Sequence, residues 1–203
     1  MSLVIIIVIV TVAISWQANQ NLMLKDRMLF VPYLIKHDRE YHRIISHMFI
    51  HADIMHLAFN MLSLYSLGSM FERQLEYNFG FQLGILHFAI LYLVGGIFAS
   101  FFSYVKNQDN PSYRSLGASG AVSAVIFASI LWNPDLKLML IFIPVPIPAF
   151  LFGPIYLAIE FFAMRRGNTG IAHEAHISGA LFGILYVIIL DFDRAKQFLD
   201  LIF

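Results

Sequence analysis

Cysteine is absent from all 203 residues. That excludes thiol catalysis, thiolate metal sites and a disulfide-stapled secreted module. Charge is scarce as well. Asp, Glu, Lys and Arg make up 13% of the chain, about half the share usual in a soluble globular domain. The basic and acidic residues cancel to a net charge of zero, which motivates no nucleic-acid partner. What the chain has is apolar mass: 59% of it is hydrophobic, and the mean hydropathy is +0.73. So much apolar surface could not all be buried in one small globule, which argues against a soluble enzyme and against disorder. The length suggests a single domain over residues 1–203. A transmembrane helix takes about 20 mostly apolar residues, and the roughly 120 apolar positions suffice for six.

The spans can be placed in order. The first runs from Leu3 to Ile14, with Trp16 suited to an interface. No charged segment precedes it and no A-x-A pattern follows, so a signal peptide is not the reading. Residues 20–50 mix charges such as Lys25, Arg27, Lys36 and Arg43 with Met28, Phe30, Tyr33 and Ile44. This predicts a long folded loop in or on the membrane interface. The second span covers about Ile54 to Phe71, closed by Glu72 and Arg73, and the third about Phe79 to Val105. A polar loop follows at 106–111. The fourth runs from near Gly117 to Trp132, the fifth over about Leu138 to Met164, and the sixth over about Ala175 to Leu190. Open sheet edges cannot be satisfied in lipid, so an all-α bundle of six membrane helices is expected. Pro144, Pro146 and Pro148 weaken the start of the fifth span, which would let it move as a side gate.

Polar groups inside a bilayer are costly and are candidates for function. Three clusters stand out. In His51-Ala-Asp-Ile-Met-His56-Leu-Ala-Phe-Asn60, His56 and Asn60 share one helical face. In Leu116-Gly117-Ala118-Ser119-Gly120, Ser119 falls near a helix N-terminus, where free N–H groups favour developing negative charge. In His173-Glu-Ala-His176-Ile-Ser-Gly179, with Gly183 beyond, the two glycines let another helix come close to the face of His176. The fourth span offers a matching stripe of Gly120, Ala121, Ala124 and Ala128. If those faces pack, Ser119 and His176 are neighbours. Each cluster alone also has a purely structural reading, as helix-to-helix hydrogen bonds, a serine cap or packing glycines.

Together the clusters hold the parts of acyl transfer. A serine hydroxyl needs a base, which His176 could be. The oxyanion needs donors, which the N–H of Ser119, His56 and Asn60 could supply. No third carboxylate sits at a fixed spacing; Asp53 and Glu174 are the possible orienters, and a Ser–His dyad is the economical reading. No cofactor and no metal are called for.

These three strings, H-x-x-x-x-H-x-x-x-N, G-x-S-G and A-H-x-x-G-x-x-x-G, occur in the order and on the spans found in rhomboid intramembrane serine proteases. The chain resembles that family from about residue 38 to 190, in its basic bacterial six-span form. The resemblance implies Ser119 as nucleophile, His176 as base, and His56 and Asn60, with Gly117, around the oxyanion. It implies that Arg43 is the characteristic arginine of the first loop and that Glu72 is a structural glutamate. It makes residues 165–174 a mobile cap. The substrates would be membrane-protein segments entering sideways from the lipid bilayer, and the site would face outward from a cell membrane. The chain departs from the family pattern in two places. His42-Arg43 replaces a common Trp-Arg, and Ser123 stands where an aromatic often stacks on the base.

Other classes remain open on sequence alone. His47, His51, His56, His173 and His176 could serve a metalloprotease or metal carrier, although H-E-x-x-H is missing. A non-catalytic membrane protein that binds transmembrane clients is the main alternative. No internal repeat supports a transporter. Basic residues are richer in the loops that the family places outside, against the positive-inside tendency.

Overall fold

The computed structural model describes residues 2–140, 143–167 and 169–202. The main helices are α1 (Leu3–Gln20), α2 (Ile54–Phe79), α3 (Phe81–Asn107), α4 (Ser119–Trp132), α5 (Ala149–Arg166), α6 (His173–Leu190) and α7 (Phe192–Ile202). Among the described residues, α1, α2, α3 and α6 are long and apolar enough to cross a membrane. Helix α4 is apolar but has only 14 residues, and α5 carries Glu160, Arg165 and Arg166 among its 18. Leu86, Leu93, Phe101 and Phe102 of α3 and Leu181, Leu185 and Ile189 of α6 point outward. In water that surface would aggregate; against acyl chains it is solvated. The architecture is an all-α membrane bundle.

Helix α4 is its centre. All of its residues except Ser119 and Ile126 are buried. The close face expected between the fourth and sixth spans is present. A Cβ added at Gly179 would lie 2.1 Å from the carbonyl oxygen of Gly120, and one at Gly183 would lie 2.1 Å from that of Ala124. Only a hydrogen atom fits at these crossings, so the two backbones touch.

Two boundaries differ from the sequence expectation. The second helix does not stop at Glu72 and Arg73 but runs to Phe79, through a widened turn at Leu64–Gly68. Glu72 does not end the helix because it is buried and serves α1. Its carboxylate accepts from the Ser2 hydroxyl and from the Leu3 N–H at 2.5 Å, satisfying donors at the first turn of α1. Gly80, with φ +82°, makes the actual break.

The second difference is larger. The first part of the expected fifth span is not helical. Strands β1 (Lys137–Leu140) and β2 (Ile143–Pro148) pair antiparallel, with Lys137 opposite Pro148 and Leu138 opposite Ile147. Prolines at alternate positions deny a helix its hydrogen bonds, yet an outer strand tolerates them. The fifth helix begins only at Ala149, so Pro144, Pro146 and Pro148 cannot soften it; Pro154 is the proline inside it.

The first loop is folded, as expected, into the short helices Leu22–Met28, Pro32–His37 and Arg43–Ser46 and the 3₁₀ turn His47–Phe49. Arg43 is buried at their junction. Its guanidinium donates to the carbonyls of Asp26 (2.7 Å) and Leu29 (2.9 Å) and pairs with Glu40. Backbone bonds then tie the loop to the segment that leads into α4. Phe30 and Ser115 exchange N–H···O bonds of 2.9 and 3.1 Å, and the Gly117 N–H donates to the His47 carbonyl at 2.9 Å.

Candidate active site

The turn before α4 is held on three sides. Gly117 has φ +118°, a conformation open to glycine. A Cβ there would lie 2.7 Å from Cε1 and 2.9 Å from Nε2 of His56, so the His56 ring lies flush against this backbone. The Ala118 N–H donates to His51 Nε2 at 3.4 Å. The other ring nitrogen of His51 donates to Ser15 Oγ at 2.9 Å, and Ser15 in turn donates to the Phe49 carbonyl. His51 is therefore a neutral structural ring that clamps α1, the first loop and the turn together. Burial lowers its pKa to about 3, helped by the nearby His56 and Lys25. Burial likewise lowers His47 to about 4, where the ring meets Ser100 Oγ at 3.1 Å.

The turn delivers Ser119 to the first position of α4, partly exposed, with helix N–H groups around it. Its Oγ lies 2.8 Å from His176 Nε2. That distance follows from the Gly120–Gly179 crossing, because each glycine sits within one turn of its partner in the pair. Asn60 is buried one turn after His56 and donates from Nδ2 to the His56 carbonyl at 2.9 Å, leaving its second amide hydrogen. A void of about 20 Å³, enough for one water, touches Ser119, Gly117, His47, Ser100 and Ser103.

The possible orienters named from sequence lie elsewhere. Asp53 caps α2, accepting from the His56 N–H at 2.8 Å, and Glu174 is met by the Ser103 hydroxyl at 3.5 Å. The carboxylate beside His176 is Glu160 of α5, which the sequence reading passes over. One of its oxygens lies 3.1 Å from His176 Nδ1, and the other accepts from His173 Nδ1 at 2.5 Å. His173 Nε2 in turn meets Thr169 Oγ1 at 2.8 Å. One signal could have found Glu160: it is an acidic residue within an apolar stretch. Ser123, at the family's aromatic position, pairs with the Tyr156 hydroxyl at 3.3 Å.

The five histidines considered as a metal set are not gathered, since His47 and His51 have the partners given above. Donor atoms of Glu160, His173 and His176 do lie within 4.8 Å of one another. By separation alone they could hold a cation, but the carboxylate is already engaged by both rings.

Residues 38–191 match the Rhomboid domain family, over nearly the same stretch as the motif resemblance. RHOMBOID-like protein 12, mitochondrial, of Arabidopsis thaliana is 31% identical over 185 residues, covering 83% of this chain and 52% of that protein. Presenilin-associated rhomboid-like protein, mitochondrial, of Homo sapiens is 34% identical over 145 residues, covering 68% of this chain and 35% of that protein. Rhomboid protein 1, mitochondrial, of Saccharomyces cerevisiae is 34% identical over 149 residues, covering 70% and 40%. The chain spans about half the length of these relatives or less. All three are named as mitochondrial, so the expected bacterial form and bacterial membrane gain no support from them. On the domain match and these identities, this integral membrane protein belongs to the rhomboid family.

Proposed function

We propose that the chain is an intramembrane serine endopeptidase that cuts membrane-protein segments. The observation that carries this is the 2.8 Å contact between Ser119 Oγ and His176 Nε2 at the mouth of a helix. As Ser119 Oγ bonds to the scissile carbonyl carbon, His176 Nε2 takes its proton. The carbonyl oxygen becomes an oxyanion facing the Ser119 N–H, the His56 ring and the free amide hydrogen of Asn60. Collapse breaks the C–N bond, and His176 gives its proton to the leaving amine. Water then hydrolyses the acyl-enzyme by the same steps, taking the place of the amine, with the one-water void beside Ser119 as a place to hold it.

A peptide bond can be cut only where the backbone is unwound, and unwound backbone is unsatisfied in lipid. The substrate must therefore reach the site from the side. The first half of helix α5 is the candidate gate: Ala149 and Gly153 are its buried residues there, while Leu151 and Ile155 face outward. The site lies at the C-terminal end of α1, through Ser15 and His51, and so on the face away from Ser2 and Glu72. We place the site on the outward face of its membrane; a reporter fused after Phe203 tests that orientation.

The test is cleavage of a single-span model substrate by purified protein in vesicles, with fluorophosphonate labelling in parallel. Ser119→Ala and His176→Ala should each abolish both signals; cleavage persisting in either variant refutes the dyad. A disulfide introduced between α2 and α5 should block cleavage, with no native cysteine to interfere. Unchanged cleavage with the clamp closed rejects the gate.

A further inference from the structure

We propose that Glu160 is a positioning residue for His176, a carboxylate that orients the ring of the Ser119–His176 pair without itself taking up the proton. The inference rests on the protease reading and deepens it. Glu160 is a carboxylate buried to 9% exposure in an apolar helix. A charge there is costly unless it is paired. Its partners are two imidazoles, His173 at 2.5 Å and His176 at 3.1 Å, one on each oxygen.

The need on the His176 side is specific. Nε2 must be unprotonated to accept the Ser119 proton, which puts the ring's own hydrogen on Nδ1. That Nδ1 is buried and makes no straight hydrogen bond among the described residues. Glu160 Oε1, 3.1 Å away and approaching off the N–H line, is the acceptor beside it. Resting catalytic contacts are often bent in this way and straighten with substrate bound. During attack the proton moves from Ser119 Oγ to Nε2 as the O–C bond forms. The imidazolium so made sits against the carboxylate, which stays ionised throughout, and the proton leaves on the amine as the C–N bond breaks. The pair also answers a gap in the motif. No aromatic at position 123 steadies the ring, because that residue is Ser123, and a carboxylate from the neighbouring helix does so instead. His173 and Thr169 hold the second oxygen and keep Glu160 from turning away.

The experiment compares wild type, Glu160→Gln and Glu160→Asp, as full-length protein, on the single-span substrate. Glu160→Gln should lower kcat by about 10²- to 10⁴-fold with KM nearly unchanged, the range for a misdirected catalytic histidine. Glu160→Asp should recover part of the loss. A wild-type kcat in Glu160→Gln overturns the proposal, as does an equal loss in Glu160→Asp from a protein that melts normally. A second readout needs no turnover. In ¹⁵N-histidine-labelled protein, the His176 ring, assigned by His176→Gln, should carry its hydrogen on Nδ1 in wild type and lose that preference in Glu160→Gln. The same tautomer in both overturns the proposal, whether or not Glu160→Gln folds as firmly. If wild type holds the Nδ1–H form but neither cuts substrate nor labels, the protease reading fails while the role of Glu160 on the ring stands.

Discussion

Replacing Gly179 by alanine tests how the site is held together. The new methyl carbon would lie 2.1 Å from the Gly120 carbonyl oxygen and 2.9 Å from its carbonyl carbon. These are backbone atoms, which cannot rotate aside, so α6 must retreat from α4 by about 1 Å or more to reach ordinary contact. Overpacking of this kind costs about 1–3 kcal/mol of stability. The effect on chemistry is larger. Ser119 adjoins Gly120, and His176 lies one turn before Gly179, so the retreat opens the 2.8 Å Oγ–Nε2 contact beyond hydrogen-bond range. A misplacement of about 1 Å costs roughly 10²-fold in rate. The assay is the rate of fluorophosphonate labelling, corrected for the folded fraction read from thermal unfolding. Gly153→Ala is the control: its Cβ would meet Phe127 and Ile130 at an ordinary 3.5–3.8 Å, and alanine favours a helix. It should label at the wild-type rate and melt no lower. Wild-type labelling by Gly179→Ala would falsify the claim that this crossing sets the Ser119–His176 distance.

Three further outcomes are expected. Asn60→Ala should lower kcat by roughly 10-fold, less than the 10²–10³ of a dedicated oxyanion donor, because one amide hydrogen is engaged by the His56 carbonyl; an unchanged kcat removes Asn60 from the oxyanion. Glu72→Ala should cost about 1–3 kcal/mol by orphaning the first donors of α1, with kcat of the folded protein intact because Ser15, on the site side of α1, is about 20 Å along the helix; a normal melting temperature refutes the capping role. Stability should also fall with acid. Above pH 6.5, His47 and His51 are neutral in both the folded and unfolded states. Below it, the unfolded chain binds protons that the buried rings refuse until pH nears 4 and 3 respectively. Each ring then removes about 1.4 kcal/mol per pH unit, and denaturant midpoints at pH 7 and pH 5 should show it; equal midpoints contradict burial of neutral rings.

The parts of the fold that recur with a helical period were readable from sequence. Gly179 and Gly183 against Gly120 and Ala124 were legible because small residues spaced four apart allow one kind of contact. The turn at Gly117 was legible because a glycine just before a helix start admits the positive φ that the turn uses. Two things were not. The pairing of strand Lys137–Leu140 with strand Ile143–Pro148 was hidden because the sequence from Leu138 to Pro148 is as apolar as a span, and hydropathy does not distinguish strand from helix. Only the alternating prolines carried that information, and they also fit a broken helix. Glu160 is not legible from spacing, because a dyad requires no third group and the acid adjacent in sequence to His173 is Glu174. On a helix that residue points away from His176; the carboxylate arrives from a different helix, which spacing alone cannot reveal.

The hydrogen bonds joining Phe30 to Ser115 and His47 to Gly117 have a temporal meaning. The first connection of the chain cannot settle until two further helices have been inserted and the third connection has arrived to dock on it. The turn that carries Ser119 is completed by a segment made long before it, so on the proposed protease reading the catalytic pair is assembled only once the later helices are in place.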